Sequence, residues 1–455
     1  MLSKMKISTV INLLILIVLC SSCEKEKEVE YSIFKGNIKN TSGALQLRPA
    51  KGFENESKTI RLDEFGNFND TLFTDEGLYL LFDGTNMINF FLKPSNTYGL
   101  EYDAKKFRQD GIKLTGSDIA FNEYFVEKSR TQVFLDPTVK MTETEYRDLL
   151  NDIKTKQLDR LNDSGLSAII NDYEKSKIEY QYLRDLKLFL FYAGIKKPTK
   201  ESINELNINY SNDEHYTKFG AYNSMVDDRV ILQMEEKAKK EKLRDTSYSN
   251  NQNFIKGVNE FAPTELIKNS IISTFGPQYI VEAKDKESFY NDFISHYTGN
   301  DSIFKNEMSE LYLDLSKLQK GTTSPTFQNY KNYTGGLTSL DDFKGKDVLI
   351  NLWATWCLNC YESIPVIETL VEEYPEVVFL NIAYQDEEKK WRKMIKDKKF
   401  AGEHILADRK DESFFEEYAV TGIPRYILID KNGNIIDNNA PRPTEEGLKI
   451  LLDSL

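Results

Sequence analysis

The sequence is poor in the residues that bind metals and haem. Its 455 residues include four cysteines and three histidines. Cys20 and Cys23 lie in a segment typical of an export signal, which leaves Cys357 and Cys360 for the chemistry of the mature chain. A structural zinc site needs about four ligands, so we expect no metal site. Covalent haem attachment needs a histidine directly after the second cysteine, and Tyr361 stands there instead.

The chain also lacks a basic surplus and an apolar run long enough to span a membrane. Its formal net charge is −13, and because nucleic-acid binding requires a basic face, we expect no nucleic-acid partner. The apolar stretch at residues 7–19 is shorter than the roughly 20 residues that cross a bilayer. A chain of 455 residues with 40% hydrophobic content exceeds one core and predicts several packed domains.

Residues 1–22 are interpreted as a lipoprotein signal peptide. A positively charged start precedes the apolar stretch, which ends at Cys20-Ser21-Ser22-Cys23. Small residues before a cysteine resemble a bacterial lipoprotein cleavage site, so Cys23 is the predicted lipid attachment residue, and a plain signal peptide or an uncleaved anchor is the alternative. The charged residues 23–31 predict a solvated tether and resemble the tracts of surface-exported lipoproteins of Bacteroidota-type bacteria.

Two patterns divide the next part of the chain. Short apolar runs separated by glycines predict an all-β, sandwich-like module over residues 32–117. Residues 118–320 predict an α-helical region, since apolar residues there recur at helical spacing, as in the stripe from Tyr146 to Ile153. Neither segment contains a recognisable catalytic pairing. The layout resembles the β-rich module that precedes a thioredoxin-like domain in many Bacteroidota lipoproteins.

Strand and helix patterns alternate over residues 321–455, which predicts an α/β domain after a linker near Gly321. The redox-active site is expected at Trp356-Cys357-Leu358-Asn359-Cys360, where a predicted strand ends and a predicted helix begins. The unpaired backbone N–H groups and the dipole at a helix N-terminus lower the pKa of a thiol, so Cys357 is the predicted nucleophile. Cys360 lies one turn on and is the predicted resolving cysteine. A closed CxxC loop removes little chain entropy, which argues against an inert structural disulfide.

Several motifs taken together resemble the TlpA-type thioredoxin-like disulfide reductases over the last third of the chain. They are Ser324-Pro325-Thr326-Phe327, Phe343-Lys344-Gly345-Lys346, the segment from Leu349 to Cys360, Pro365, and Gly422-Ile423-Pro424. The resemblance implies a cis peptide bond at Pro424, backbone groups of Ile423 offered to an extended substrate, and Trp356 as a wall of the site. It also implies that no dissociable cofactor is needed.

Two positions depart from the patterns of this family. Thioredoxins often have a buried acid six residues before the first cysteine, where this chain has Asn351, as TlpA-type members often do. Those members usually have a glutamate three residues after the second cysteine, and here Ser363 occupies that position. Glu362 is one residue away, and because one residue turns a helix by about 100°, it is predicted to point elsewhere. The proton acceptor for Cys360 stays open.

The sequence therefore predicts an exported, membrane-anchored thiol-disulfide oxidoreductase that reduces disulfides in proteins or peptides. A transmembrane thiol reductase is the expected electron donor, which favours a periplasm-facing location in the cell envelope over surface exposure. The alternative is a ligand- or partner-binding lipoprotein in which the thioredoxin-like domain is structural or a redox switch. An oxidase or isomerase is a third reading of the same cysteine pair.

Overall fold

A computed structural model describes residues 31–41, 44–49, 58–109, 111–132, 135–240, 251–408 and 412–455. The predicted signal peptide, nearly all of the tether and the predicted lipid attachment residue Cys23 lie outside these ranges. The chain divides into two compact units, Met1–Met225 and Val226–Leu455. Because the division falls inside a helix, the residues predicted as one helical region are shared between the units, and the predicted domain limits stay predictions.

The first unit contains a β-sandwich. Its strands are β1 (Ser32–Lys39), β2 (Ala44–Pro49), β3 (Lys58–Arg61), β4 (Asn67–Leu72), β5 (Gly77–Phe82), β6 (Met87–Leu92), β7 (Thr97–Asp103) and β8 (Lys113–Gly116). They form two sheets, in the orders β4-β1-β7-β8 and β3-β2-β5-β6. Side chains alternate along a strand, so one face of each sheet is apolar, and these two faces share one core that includes Phe34, Leu45 and Phe90. The predicted sandwich-like module is confirmed.

Helices follow the sandwich in the first unit. They are α1 (Ile119–Arg130), α2 (Glu143–Asp163), α3 (Ala168–Tyr192), α4 (Lys200–Glu205), α5 (Asp213–Lys218) and α6 (Gly220–Lys240), which continues into the second unit. Helix α2 begins with a capping box between Thr142 and Glu145. Its predicted apolar stripe is buried at Tyr146 and Leu150, and the Tyr146 ring stacks on Phe189 of α3.

The second unit has further helices before its sheet: α7 (Phe254–Phe261), α8 (Glu265–Glu282), α9 (Lys286–His296) and α10 (Ser302–Lys317). Three of them begin at a side chain that accepts a backbone N–H, namely Thr264, Asp285 and Asp301. In the part of the chain that the structure describes, no helix combines the length and the apolar character that a bilayer crossing requires.

The α/β domain is built on a seven-stranded sheet of order β10-β9-β13-β12-β11-β14-β15. Its elements are β9 (Tyr330–Asn332), β10 (Leu337–Thr338), β11 (Val348–Trp353), a 3₁₀ turn (Leu358–Ser363), α11 (Ile364–Glu373), β12 (Val378–Ala383), α12 (Glu388–Lys398), β13 (Glu403–Leu406), α13 (Ser413–Glu417), β14 (Arg425–Ile429), β15 (Ile435–Asp437) and α14 (Glu446–Leu452). Strand β11 lies between β12 and β14, and all six of its residues are buried. The predicted fold class, an α/β thioredoxin-like domain behind a β-rich module and helices, is confirmed.

Candidate active site

The two cysteines of the predicted site are bonded to each other at the end of the central strand. The Sγ atoms of Cys357 and Cys360 are 2.03 Å apart. Strand β11 ends at Trp353, and Cys357 then starts the 3₁₀ turn that continues into α11, with Pro365 in the first turn of that helix. Once the disulfide is reduced, the sulfur of Cys357 lies at the positive end of the turn and helix, where an anion is favoured.

The loop before β14 passes close to the disulfide. The peptide bond between Ile423 and Pro424 is cis, as predicted. The Ile423 carbonyl oxygen lies 3.7 Å from the Cys357 sulfur, so this backbone stretch is within reach of anything bonded to that sulfur. Both sulfur-bearing residues are nearly buried, at 6% exposure for Cys357 and 4% for Cys360. Trp356, beside them in the chain, is 57% exposed, and its role as a wall of the site stays a prediction.

A carboxylate that the sequence analysis missed holds the loop in front of the cysteines. Asp386 is buried and accepts hydrogen bonds from the backbone N–H of Thr355 at 2.5 Å and from its hydroxyl at 2.7 Å. The Tyr361 hydroxyl donates to the carbonyl oxygen of the same Thr355. The sequence did hold a clue to this contact. Asp386 closely follows β12, and parallel neighbours such as β11 and β12 end at the same edge of a sheet.

A row of polar side chains crosses the sheet beneath the cysteines. Asn351 on β11 is paired in register with Asn381 on β12 and with Tyr426 on β14. The Asn381 amide N–H₂ donates to the carbonyl oxygens of Ala401 and Glu403. Its Oδ1 therefore faces Asn351, whose Nδ2 donates to it at 2.9 Å. This leaves the Asn351 Oδ1 buried, with no partner among the described residues.

The start of α11 lies above this row. Ser363 is 3% exposed, whereas Glu362 is exposed to solvent, so the prediction that Glu362 points away is confirmed. Burial raises the pKa of Tyr426 to about 12, and the Ser363 side chain beside its hydroxyl opposes that rise. Tyr426 belongs to the same buried cluster as Cys357 and Cys360. At the position of the usual glutamate, this chain therefore has the neutral hydroxyl of Ser363.

A buried arginine follows the cis peptide bond. Arg425 is 3% exposed, and its Nε and Nη2 both donate to the carbonyl oxygen of Asn438, at 2.9 and 2.7 Å. Burial lowers the pKa of Arg425 to about 10, and the nearby charge of Asp437 opposes the shift. The side chain stays a cation at neutral pH and links the start of β14 to Asn438, the residue after β15. Sequence reasoning did not find it, since an arginine after Ile-Pro carries no signal of burial.

The predicted site residues are thus brought together in part. Cys357, Cys360 and Ile423 lie in contact, Pro424 follows Ile423, and Trp356 precedes Cys357 at an exposed position. Their individual roles in catalysis and in substrate binding stay predictions, and so does lipid attachment at Cys23.

Comparison with known proteins agrees with this site. Residues 319–451 match the model of the Redoxin family. A thioredoxin-like protein of Bacillus subtilis, YneN, is 33% identical over 31% of this chain and 86% of its own length. The thiol-disulfide oxidoreductase ResA of Bacillus anthracis is 30% identical over 32% of this chain and 83% of its own length. The thioredoxin domain of a thiol-disulfide oxidoreductase from Bacteroides vulgatus is 25% identical, with 30% of this chain and 97% of that domain covered at a TM-score of 0.28.

The two Bacillus relatives define the class of protein. Through its C-terminal domain, the chain belongs to the thioredoxin-like thiol-disulfide oxidoreductases. The domain has the redox-active CxxC pair of such enzymes at Cys357 and Cys360. The predicted enzyme class, a thiol-disulfide oxidoreductase, is therefore confirmed.

Proposed function

We propose that the chain is an exported, membrane-anchored enzyme of the TlpA type that reduces disulfides in proteins or peptides. The observation that carries the proposal is the Cys357–Cys360 bond at a strand-to-helix turn, with the Ile423 carbonyl oxygen 3.7 Å from the Cys357 sulfur. Relatives named as thiol-disulfide oxidoreductases support the same reaction.

The reaction consists of two exchanges. In the reduced enzyme, the Cys357 thiolate attacks one sulfur of a substrate disulfide; a mixed disulfide forms, and the other substrate sulfur leaves as a thiolate that takes a proton from water. The Cys360 sulfur then gives up its proton and attacks Cys357, which releases the second substrate thiol and leaves the Cys357–Cys360 disulfide. Two electrons have passed to the substrate. A dithiol donor must return them, and a transmembrane thiol reductase supplies them in our proposal.

The proposed location rests on the sequence alone. The apolar stretch before Cys20-Ser21-Ser22-Cys23 favours export and lipid attachment at Cys23. A periplasm-facing position in the cell envelope fits an electron donor held in the inner membrane. Metabolic labelling with a fatty acid tests the attachment, because a Cys23→Ala variant is expected to lose the label that the wild type keeps. Label retained by that variant contradicts a lipid at this residue.

Disulfide reduction tests the reaction directly. The full chain, reduced beforehand, is mixed with a peptide that contains one disulfide, and free thiols are counted. We expect the wild type to reduce it and Cys357→Ser to fall to the background. Cys360→Ser is expected to accumulate a mixed disulfide with the peptide that mass spectrometry detects, because the resolving thiol is absent. A wild type no faster than Cys357→Ser contradicts the proposal.

A second candidate function concerns the first unit. A cavity of about 400 Å³ there is lined largely by apolar side chains, including Leu78, Phe91, Ile170 and Phe219. Its volume lies in the range of small-molecule sites, which supports the alternative of a ligand-binding module. Ile169 at its rim is 84% exposed and can be changed without opening the core. A fluorescent apolar probe is expected to bind the wild type and to bind Ile169→Glu more weakly; equal binding contradicts this candidate.

A further inference from the structure

A cavity beside the cis peptide bond has a wall that the thioredoxin-like domain does not supply. Its volume is about 230 Å³. Asn359, between the two cysteines, and the backbone at Ile423 and Pro424 form one side of it. Gln278 and Glu282, from the last turn of α8, form another. Helix α8 precedes residue 319, where the match to the Redoxin family begins.

The α8 wall is polar and held in place. The Gln278 amide Nε2 donates to one carboxylate oxygen of Glu282 at 3.1 Å. The Asn251 amide Nδ2 donates to the other oxygen at 2.9 Å. Both amides fix the carboxylate in one orientation, so it presents a defined negative group to the cavity.

The opposite wall is polar as well. Arg425 and Arg442 both line the cavity; Arg425 is buried and Arg442 is exposed. The fixed carboxylate of Glu282 thus stands in the same cavity as two guanidinium groups. Such a lining offers both donors and acceptors to the amide groups and polar side chains of a peptide, and it offers little to a bulky apolar group.

The shape of the space favours an extended ligand. A volume of about 230 Å³ lies below the usual size of a pocket that encloses a small molecule. A second cavity, of about 620 Å³, shares Val281, Glu282 and Asn439 with it and continues past the end of α8. Through these shared residues the two cavities adjoin, and the groove that they form starts at Asn359, between the cysteines, and follows the end of the helix.

We propose that α8 forms the far wall of the substrate groove, and that a polypeptide segment with polar residues next to its cysteine binds between α8 and the loop at Pro424. This inference rests on the proposed function and extends it. The exchange chemistry belongs to the cysteines, whereas Gln278 and Glu282 select the substrate. The groove thus distinguishes a polypeptide disulfide from a small disulfide without flanking residues.

A bulky residue in the groove tests this assignment. The substrates are a peptide disulfide with polar residues on both sides of the cysteine, and bis(2-hydroxyethyl) disulfide, which has no flanking residues. In Gln278→Trp, the ratio of kcat/KM for the peptide to kcat/KM for the small disulfide is expected to fall about tenfold, chiefly through KM, because the side chain fills the space of the flanking residues. The control is Ile294→Trp, at a position of α9 that is 60% exposed and outside the groove, and its ratio is expected to equal that of the wild type.

The outcomes separate the two proposals. If the wild type reduces neither disulfide, the proposed function fails. If it reduces both and the ratio in Gln278→Trp equals that of Ile294→Trp, the groove assignment is overturned. This includes the case in which Gln278→Trp loses the same factor of kcat/KM on both substrates. Should Gln278→Trp not fold, Glu282→Lys and the exposed, charge-matched Glu310→Lys decide by the same ratio.

Discussion

In the sandwich, the buried carboxylate of Asp83 accepts hydrogen bonds from the backbone and amide of Asn86 and from the Tyr102 hydroxyl, at 2.6 to 2.9 Å. In the sheet beneath the disulfide, the buried Oδ1 of Asn351 has no partner among the described residues. A buried acceptor without a partner costs about 1–3 kcal/mol. The Asp83 carboxylate thus links the turn after β5 to β7 of the other sandwich sheet, whereas the seven-stranded sheet keeps several buried polar atoms without a partner among the described residues, including the Asn351 Oδ1 and the Trp353 Nε1.

The difference lies in what each buried group can do next. The Asp83 carboxylate is saturated and ties two strand ends together, so its role is structural. The Asn351 Oδ1 shares its face of β11 with Leu349 and Trp353, which pack in one cluster with both cysteines. Reduction of the disulfide creates thiols, and a thiol is a donor. We expect Asn351 to accept a hydrogen bond only in the reduced enzyme.

The largest expected effect is on the saturated group. Asp83→Ala removes the acceptor of the buried Tyr102 hydroxyl and of the backbone N–H groups of Thr85 and Asn86, and we expect a loss of about 4 kcal/mol in the free energy of unfolding of the first unit. Hydrogen exchange of residues 32–116 under mild denaturant measures it. A loss below about 1 kcal/mol would mean that the carboxylate is not a structural centre of the sandwich.

The next largest effect is a loss of stability of the seven-stranded sheet at low pH. Burial lowers the pKa of His404 on β13 to about 4, so the native state favours the neutral ring. As the pH falls, this histidine takes up a proton in the unfolded chain near pH 6.5 but in the folded chain only near pH 4. The free energy of unfolding therefore keeps its full value above about pH 6.5 and declines by up to about 3 kcal/mol as the pH falls toward 4. Unfolding of the second unit between pH 7 and 4 measures this. His404→Gln is expected to flatten the profile, and an unchanged slope would contradict the assignment.

A matched pair of tyrosines sharpens the comparison. The Tyr102 hydroxyl donates to the Asp83 carboxylate at 2.6 Å, whereas the Tyr426 hydroxyl lies beside the neutral Ser363. Because a hydrogen bond to a charged group contributes about 1.5–3 kcal/mol, we expect Tyr102→Phe to cost about 2 kcal/mol, whereas Tyr426→Phe, which breaks no hydrogen bond to a charged group, should cost about 1 kcal/mol or less. Chemical denaturation of the two variants decides. Equal costs would remove the distinction between the two cores.

The smallest effect is on the redox equilibrium. If Asn351 accepts a hydrogen bond from a thiol, it stabilises the reduced enzyme, and Asn351→Leu is expected to lower the reduction potential by about 10–20 mV, since 30 mV corresponds to about 1.4 kcal/mol. Titration against a glutathione buffer measures the shift. The exposed Glu362→Gln serves as the control. A potential that rises, or one that matches the control, would show that the free acceptor plays no part.

The sequence predicted those parts of the structure that neighbouring residues determine. The strand before Cys357, the helical segment after it and the different direction of Glu362 all follow from spacing along one segment, although its first part, Leu358–Ser363, is a 3₁₀ turn rather than an α-helix. The residues that it did not predict act across long separations. Asn122 of α1, for example, bonds the backbone N–H and carbonyl oxygen of Phe91 on β6, as a neighbouring strand would.

The same reason applies at the site. Asp386 reaches Thr355 because β11 and β12 pair in parallel, and α8 reaches the Pro424 loop through tertiary packing that no local pattern encodes. Hydrophobic periodicity indicates which face of an element is buried, but it does not identify the element that covers it. The cysteine pair was therefore visible in the sequence, and the groove around it was not.

The near-complete burial of both cysteine residues has a consequence for damage by oxidants. Irreversible oxidation to sulfinic and sulfonic acids begins at an accessible thiolate. In the disulfide state neither sulfur is a thiolate, and the two residues are only 6% and 4% exposed. We therefore expect peroxide to damage Cys357 and Cys360 only while the enzyme is in the dithiol state, after its electron donor has reduced it and before it reacts with a substrate.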